Sequence, residues 1–240
     1  PTIDMLGVDP RRYGDYASEA YLIKKNEEAY ANVFTIHYPD EEREEGRPLR
    51  QAPCYDRLKK LGAVFGQKFG WERANWFAPS KEQQHDDWSF RRSKWFEHVG
   101  NEVRATRENV GLIELSSFSK FEIEGRSARE YIDKLVANNI PKNVGGLSLV
   151  HALNPSGSIR SEFTITRLSD GILGEKFFVV GPGAAHNIDL DFLQKFMPKD
   201  GSVHLSDKTN QYGVFVLAGP NARSVLQKIA DADISNESFK

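Results

Sequence analysis

The chain has 240 residues with a formal net charge of −2, 39% hydrophobic and 28% charged. That is globular composition, long enough to bury a core in one large domain or two smaller ones. The near-neutral charge gives no general reason to bind nucleic acid or an anionic membrane. No apolar run approaches the ~20 residues that cross a bilayer, and the start Pro1-Thr2-Ile3-Asp4 has no leader-like pattern. A lone cysteine, Cys54, excludes an intramolecular disulfide and fits a reducing compartment. It reads as a structural thiol, since no Cys-x-x-Cys companion accompanies it. A start at proline and an end at Phe239-Lys240, just after an acidic stretch over 231–237, suggest a piece of something longer.

Residues 1–90 are rich in charge and hold Trp71, Trp76 and Trp88, with Trp95 just beyond. Tyr16, Ala20, Ile23, Ala29 and Tyr30 sit at roughly helical spacing, which predicts a helix over 15–32 capped by Asp15. The charge run at 41–45, closed by Gly46 and Pro48, predicts a surface loop. The stretch 71–81 has two aromatics ahead of a proline and reads as an extended segment. Arg91, Arg92 and Lys94 form a small basic cluster, read as a solvated helix start.

From Ser93 the pattern sharpens. Trp95, Val99 and Val103 recur at i, i+4, i+8, predicting a helix capped by Ser93. Alternation of Phe121 and Ile123 with charged residues predicts a strand over 119–124. Ser127-x-x-Glu130 has the form of a capping box, ahead of a helix with a Tyr131, Ile132, Leu135, Val136 face. Strands follow at 147–153, 159–168 and 177–180, the first two joined by the turn Asn154-Pro-Ser-Gly157. A helix at 188–196, a strand at 214–218 and a helix at 221–229 complete the set. The run from Phe121 through Gly125 to Leu135 echoes the run from Phe215 through Gly219 to Ile229, each a strand, a glycine turn and a helix. These repeated βα units flanking a hairpin predict an α+β fold built on split βαβ (ferredoxin-like) units.

Familiar catalytic signatures are absent. There is no G-x-G-x-x-G after a strand and no G-x-x-x-x-G-K-[ST]. The six histidines are dispersed without H-x-x-H or H-E-x-x-H spacing, and no G-x-S-x-G elbow occurs. Gln84-His-Asp-Asp87 reads as a solvated loop, because adjacent residues rarely converge on one metal. Glu162 stands out. Alternation sets it with Thr164 and Thr166, opposite Ile159, Phe163 and Ile165. A carboxylate there faces solvent, pairs with Arg160 or Arg167, or lines a pocket for a polar ligand.

Three stretches in order resemble the glycine-cleavage T-protein family. They are Val110-Gly-Leu-Ile-Glu-Leu-Ser-Ser-Phe-Ser-Lys-Phe-Glu-Ile-Glu-Gly125, Leu153-Asn-Pro-Ser-Gly-Ser-Ile-Arg-Ser-Glu-Phe-Thr-Ile165 and Leu217-Ala-Gly-Pro-Asn-Ala-Arg-Ser-Val-Leu226. Asp9-Pro-Arg-Arg-Tyr-Gly14, Gly46-Arg-Pro-Leu-Arg50 and Phe65-Gly-Gln-Lys-Phe-Gly-Trp71 resemble the join between the flavin and folate modules of dimethylglycine and sarcosine dehydrogenases. The resemblance implies a linker over 1–90, following a flavin module with FAD, and a folate-binding aminomethyltransferase-like domain over 91–240 that is C-terminally incomplete. It implies a tetrahydrofolate-dependent one-carbon transfer that consumes a unit derived from an N-methyl amine and forms 5,10-methylenetetrahydrofolate. By motif position the key acid is Glu162, where the family usually has Asp. Phe163 and Thr164 would line the folate site, Phe118 and Leu149 would wall it, and Val180 would offer backbone contacts. No metal, nucleic acid or membrane partner is implied, and the compartment expected is the cytoplasm, or the mitochondrial matrix in a eukaryote. Two alternatives stand beside this reading: a free-standing T-protein-like aminomethyltransferase or methyltransferase, and a non-catalytic folate-binding or scaffolding module.

Overall fold

The computed structural model describes Met5 and residues 8–239. In chain order the elements are α1 (Glu19–Ala31), α2 (Tyr55–Lys60), β1 (Ala63–Lys68), β2 (Trp71–Phe77), α3 (Trp95–Glu108), β3 (Gly111–Glu114), β4 (Ser119–Gly125) and α4 (Ala128–Leu135). They continue with β5 (Leu147–Leu153), β6 (Ile159–Arg167), β7 (Glu175–Gly181), α5 (His186–Phe196), β8 (His204–Asp207), β9 (Phe215–Ala218) and α6 (Ala222–Leu226). The fold is α+β, as the alternating patterns predict. Two compact units arise, one of Pro1–Asp15 with Ser117–Tyr212, the other of Tyr16–Ser116 with Gly213–Lys240. Within the second of these, α3 packs on the β1–β2 hairpin: Glu102 accepts the Phe77 N–H at 2.9 Å, and Trp95 and Val99 lie against Val64, Trp76 and Ala78.

The first unit is built on a five-stranded sheet in the order β5-β6-β7-β4-β8, each neighbouring pair antiparallel. β7 and β8 therefore run parallel with β4 between them and are joined through α5, which is the split βαβ arrangement. One face of the sheet is the core. Phe121, Ile123, Val150, Phe163, Ile165, Phe177 and Val179 alternate into it and meet Ile132 and Leu135 of α4 and Phe192 and Leu193 of α5. Burying such apolar area is the main stabilising contribution to a domain of this size. α4 starts without the predicted capping box: Ser127 makes no side-chain cap, and Glu130 pairs forward with Lys134 at 2.8 Å. Its apolar face holds, with Ala128, Tyr131, Ile132 and Leu135 buried, whereas Val136 falls beyond the helix.

The second unit contains the β1–β2 hairpin, α1, α3 and a two-stranded sheet of β3 and β9. Residues 71–77, predicted only as extended, are a full strand paired with β1 in antiparallel register. Phe69 and Gly70 turn the hairpin with φ of 51° and 83°, the two-residue geometry whose twist matches antiparallel strands. α1 begins at Glu19, with Ser18 rather than Asp15 as its cap, because the Ser18 hydroxyl accepts the Tyr21 N–H. α3 starts at Trp95 with no side-chain cap from Ser93, and Val103 stays exposed. Arg47 grips the buried Glu72 through two bonds of 2.9 and 2.7 Å.

The internal echo has a matching geometry. Gly125 ends β4 ahead of α4 with φ 149°, and Gly219 follows β9 ahead of α6 with φ 117°. At each, an added Cβ would meet a backbone oxygen, Ser202 O at 2.1 Å and Thr106 O at 2.4 Å. Both turns thus need glycine for two reasons, its positive φ and the close approach of another chain segment.

Candidate functional site

The face of the five-stranded sheet opposite the core carries the predicted residues. Cross-strand register sets Leu149, Thr164, Val180 and Lys120 in one row across β5, β6, β7 and β4. Leu149 is exposed and Thr164 and Val180 half-buried, so the row offers two apolar side chains around a hydroxyl. Lys120 is fully buried, with its ammonium donating to the Phe118 carbonyl at 2.9 Å. Phe118, half-buried, lies just before β4 near that end of the row.

Glu162 sits one side-chain step along β6 from Thr164 on the same face. It is directly opposite His151 on β5 and accepts from, or shares a proton with, the imidazole: Nε2 lies 3.1 Å from Oε2. Their side chains are 56% and 36% exposed, so the carboxylate is reachable from solvent. Neither Arg160 nor Arg167, the cations anticipated from the sequence, is its partner. Arg167 donates to Asp170 and Glu175. Arg160 is the extra residue of a bulge: Leu153 pairs with Ile159, but Ala152 pairs with Ser161, skipping Arg160. Its guanidinium lies 5.9 Å from the centroid of the Phe192 ring.

That bulge fixes the site. Had the ladder run on from the Leu153–Ile159 pair with Arg160 paired to Ala152, His151 would face Ser161 and Glu162 would have no imidazole opposite it. The shift also explains Ile159, which shares parity with Phe163 yet is 66% exposed. Phe163 itself is corrected. It lies on the core face at 2% exposure, so its side chain points away from Glu162 and Thr164 and only its backbone belongs to the site face. The structure therefore brings together Glu162, Thr164, Leu149 and Val180, adds His151, and separates Phe163. His151 was not singled out from the sequence; a hairpin around Gly157 hints at cross-strand partners, but only the bulge decides which.

Directly behind this strand, Ser161 donates to Asp189 Oδ1 at 2.8 Å inside the core. Burial pushes the Asp189 carboxyl up to about 6, against the Ser161 hydrogen bond and the Arg160 charge. Elsewhere, Cys54 is half-buried and burial raises its thiol, which disfavours the thiolate and agrees with a structural role. Among the described residues no cluster of three or more His, Cys, Asp or Glu gathers as for a metal. No helix among them is long and apolar enough to cross a membrane.

Residues 54–240 match the protein family described as GCVT N-terminal domain. The chain belongs to that family. Residues 1–52 match a second family, the FAD dependent oxidoreductase central domain. Across its whole length the chain is 37% identical to "Dimethylglycine dehydrogenase, mitochondrial" of Mus musculus, and over 99% of its length 32% identical to "4-methylaminobutanoate oxidase (formaldehyde-forming)" of Paenarthrobacter nicotinovorans. It spans only 27% and 28% of those two relatives. The fold is similar to that of glycine cleavage system aminomethyltransferase T from Bartonella henselae, with a TM-score of 0.57 at 21% identity, covering 75% of this chain and 43% of that one. The T-protein resemblance read from the three sequence motifs thus holds in both family and fold.

Proposed function

We propose that this chain is the tetrahydrofolate-binding, one-carbon-transfer part of a flavin-dependent N-methyl amine dehydrogenase, of the kind that acts on dimethylglycine or sarcosine. One observation carries the reading: in a GCVT-family fold, register places a solvent-reachable carboxylate beside an apolar row, Glu162 next to Leu149, Thr164 and Val180. A folate presents a flat heterocycle with N–H donors, and these residues fit it. Leu149 and Val180 offer apolar contact to a ring face, the Thr164 hydroxyl can donate or accept, and the Glu162 carboxylate accepts from an N–H. Phe118 extends the apolar wall, whereas Phe163, packed in the core on the other face of β6, lies outside it. Tetrahydrofolate, when bound, would supply the two nitrogens, N5 and N10, between which a carbon at the formaldehyde level is taken up with loss of water, giving 5,10-methylenetetrahydrofolate. The chain's residues would orient those nitrogens, with the Glu162 carboxylate accepting from an N–H there.

The similarity to relatives named as dehydrogenases and oxidases, together with the oxidoreductase match over residues 1–52, supports a join to a flavin module carrying FAD. The segment 1–90 is proposed as the linker that contains this join, with 91–240 as the folate-binding part. The compartment is proposed as cytoplasm, or mitochondrial matrix in a eukaryote, in keeping with relatives named as mitochondrial.

A thermal-shift series tests the reading. Saturating 5-formyltetrahydrofolate should raise the melting temperature of the wild type, since a ligand that binds only the folded state stabilises it by about 2.7 kcal/mol at a hundredfold excess over Kd. Leu149→Glu, a surface change on the site face, should unfold at nearly the wild-type temperature without ligand and lose most of the shift. A wild type indifferent to the ligand would sink the proposal.

A further inference from the structure

We infer that His151 is a positioning residue for Glu162: its imidazole holds one carboxylate oxygen so that the other is presented to an N–H of a bound folate. This rests on the folate reading above and adds a residue to it. The two side chains are directly opposed across β5 and β6, with Nε2 and Oε2 3.1 Å apart. A glutamate on an open sheet face otherwise samples many rotamers, and each one lost on ligand binding weakens affinity. A hydrogen bond to an ionised carboxylate is among the stronger kind and limits that sampling.

The histidine is itself held. Its backbone N–H donates to Asn138 Oδ1 at 3.0 Å, and its carbonyl accepts the Ala137 N–H at 3.0 Å, so β5 is clamped to the segment after α4 at this residue. The β6 side is fixed by the bulge at Arg160, whose guanidinium lies 5.9 Å from the centroid of the Phe192 ring. The flanking residues on the site face, Leu149 and Thr164, are uncharged. With Nε2–H donating to Glu162, a neutral ring keeps Nδ1 as its acceptor. Oε2 is then occupied, and Oε1 is the oxygen presented to a ligand.

The test is a double-mutant cycle on the 240-residue chain, titrated with 5-formyltetrahydrofolate: wild type, H151A, H151Q, E162A and H151A/E162A, each checked for unfolding temperature. H151A should weaken binding about tenfold. H151Q, whose amide can donate to the same oxygen, should restore most of the affinity. In the E162A background, H151A should have no further effect. A full additional loss there would overturn the inference while leaving the folate reading intact, as would an H151A variant that binds like the wild type. A wild type that does not bind overturns the folate reading, and this inference with it.

Discussion

Ser161 on β6 donates its hydroxyl to Asp189 on α5 at 2.8 Å, and the second oxygen of this wholly buried carboxylate meets no hydrogen-bond partner among the described residues. The pair lies in the core behind the strand that carries Glu162. Burial outweighs the hydrogen bond and raises the carboxyl from 3.8 to about 6. A carboxyl with a raised folded-state value favours folding when protonated. Its stabilising contribution is complete below the unfolded value and is lost as pH rises through about 6. Set against an Asp189→Asn variant, which does not titrate, the wild type should lose about 2 kcal/mol of relative stability between roughly pH 4 and roughly pH 7.5. Urea unfolding of both proteins across that range measures it, and a constant difference would contradict the assignment.

Phe163 and Thr164 are adjacent in sequence but face opposite ways. Phe163→Ala should cost about 3–5 kcal/mol, as expected for a large buried aromatic. Thr164→Ala, on the half-buried open face, should cost less than about 1 kcal/mol yet weaken folate binding. Denaturant midpoints with unchanged slopes separate the two effects.

The two βα turns make a matched pair. Gly125→Ala and Gly219→Ala each place a Cβ within 2.4 Å of a backbone oxygen at a positive φ, so each should destabilise by more than about 1 kcal/mol. Gly157→Ala is the control: its φ is 82°, but nothing lies within 4 Å of the added carbon. It should cost about 1 kcal/mol from the backbone conformation alone. Thermal unfolding of the three variants ranks them, and equal losses would mean that crowding contributes nothing.

Arg47→Met removes both bonds to Glu72 and leaves a carboxylate that is 4% exposed without its cation. Breaking a buried pair from one side costs about 3–5 kcal/mol. Adding Glu72→Leu should restore part of the loss, because the stranded charge is gone. Equilibrium unfolding of the single and double variants checks the order.

Sequence patterns carried most of the first unit. The bounds of β5 match the apolar stretch 147–153 closed by the turn at Asn154, β6 ends one residue before the predicted 168, and the buried face of α4 keeps Tyr131, Ile132 and Leu135 as predicted. The β1–β2 hairpin was concealed by its turn. A phenylalanine at φ 51° is not a turn signal, so Phe69-Gly70 did not announce the strand before it. The capping box at Ser127 failed because Glu130 has a competing partner four residues ahead, Lys134. In the site, Glu162 was legible as a carboxylate out of place in an apolar hairpin. His151 was not, since its pairing depends on a bulge that no residue type at Arg160 marks.

The central claim is that Glu162 belongs to a folate site, and calorimetric titration with 5-formyltetrahydrofolate of the wild type and Glu162→Ala addresses it most directly. Loss of a polar contact to a charged group is worth about 1.5–3 kcal/mol, so the variant should bind at least about tenfold more weakly while melting at nearly the same temperature. Equal affinity for the two proteins would remove Glu162 from the site, and no heat of binding from the wild type would contradict the folate account itself.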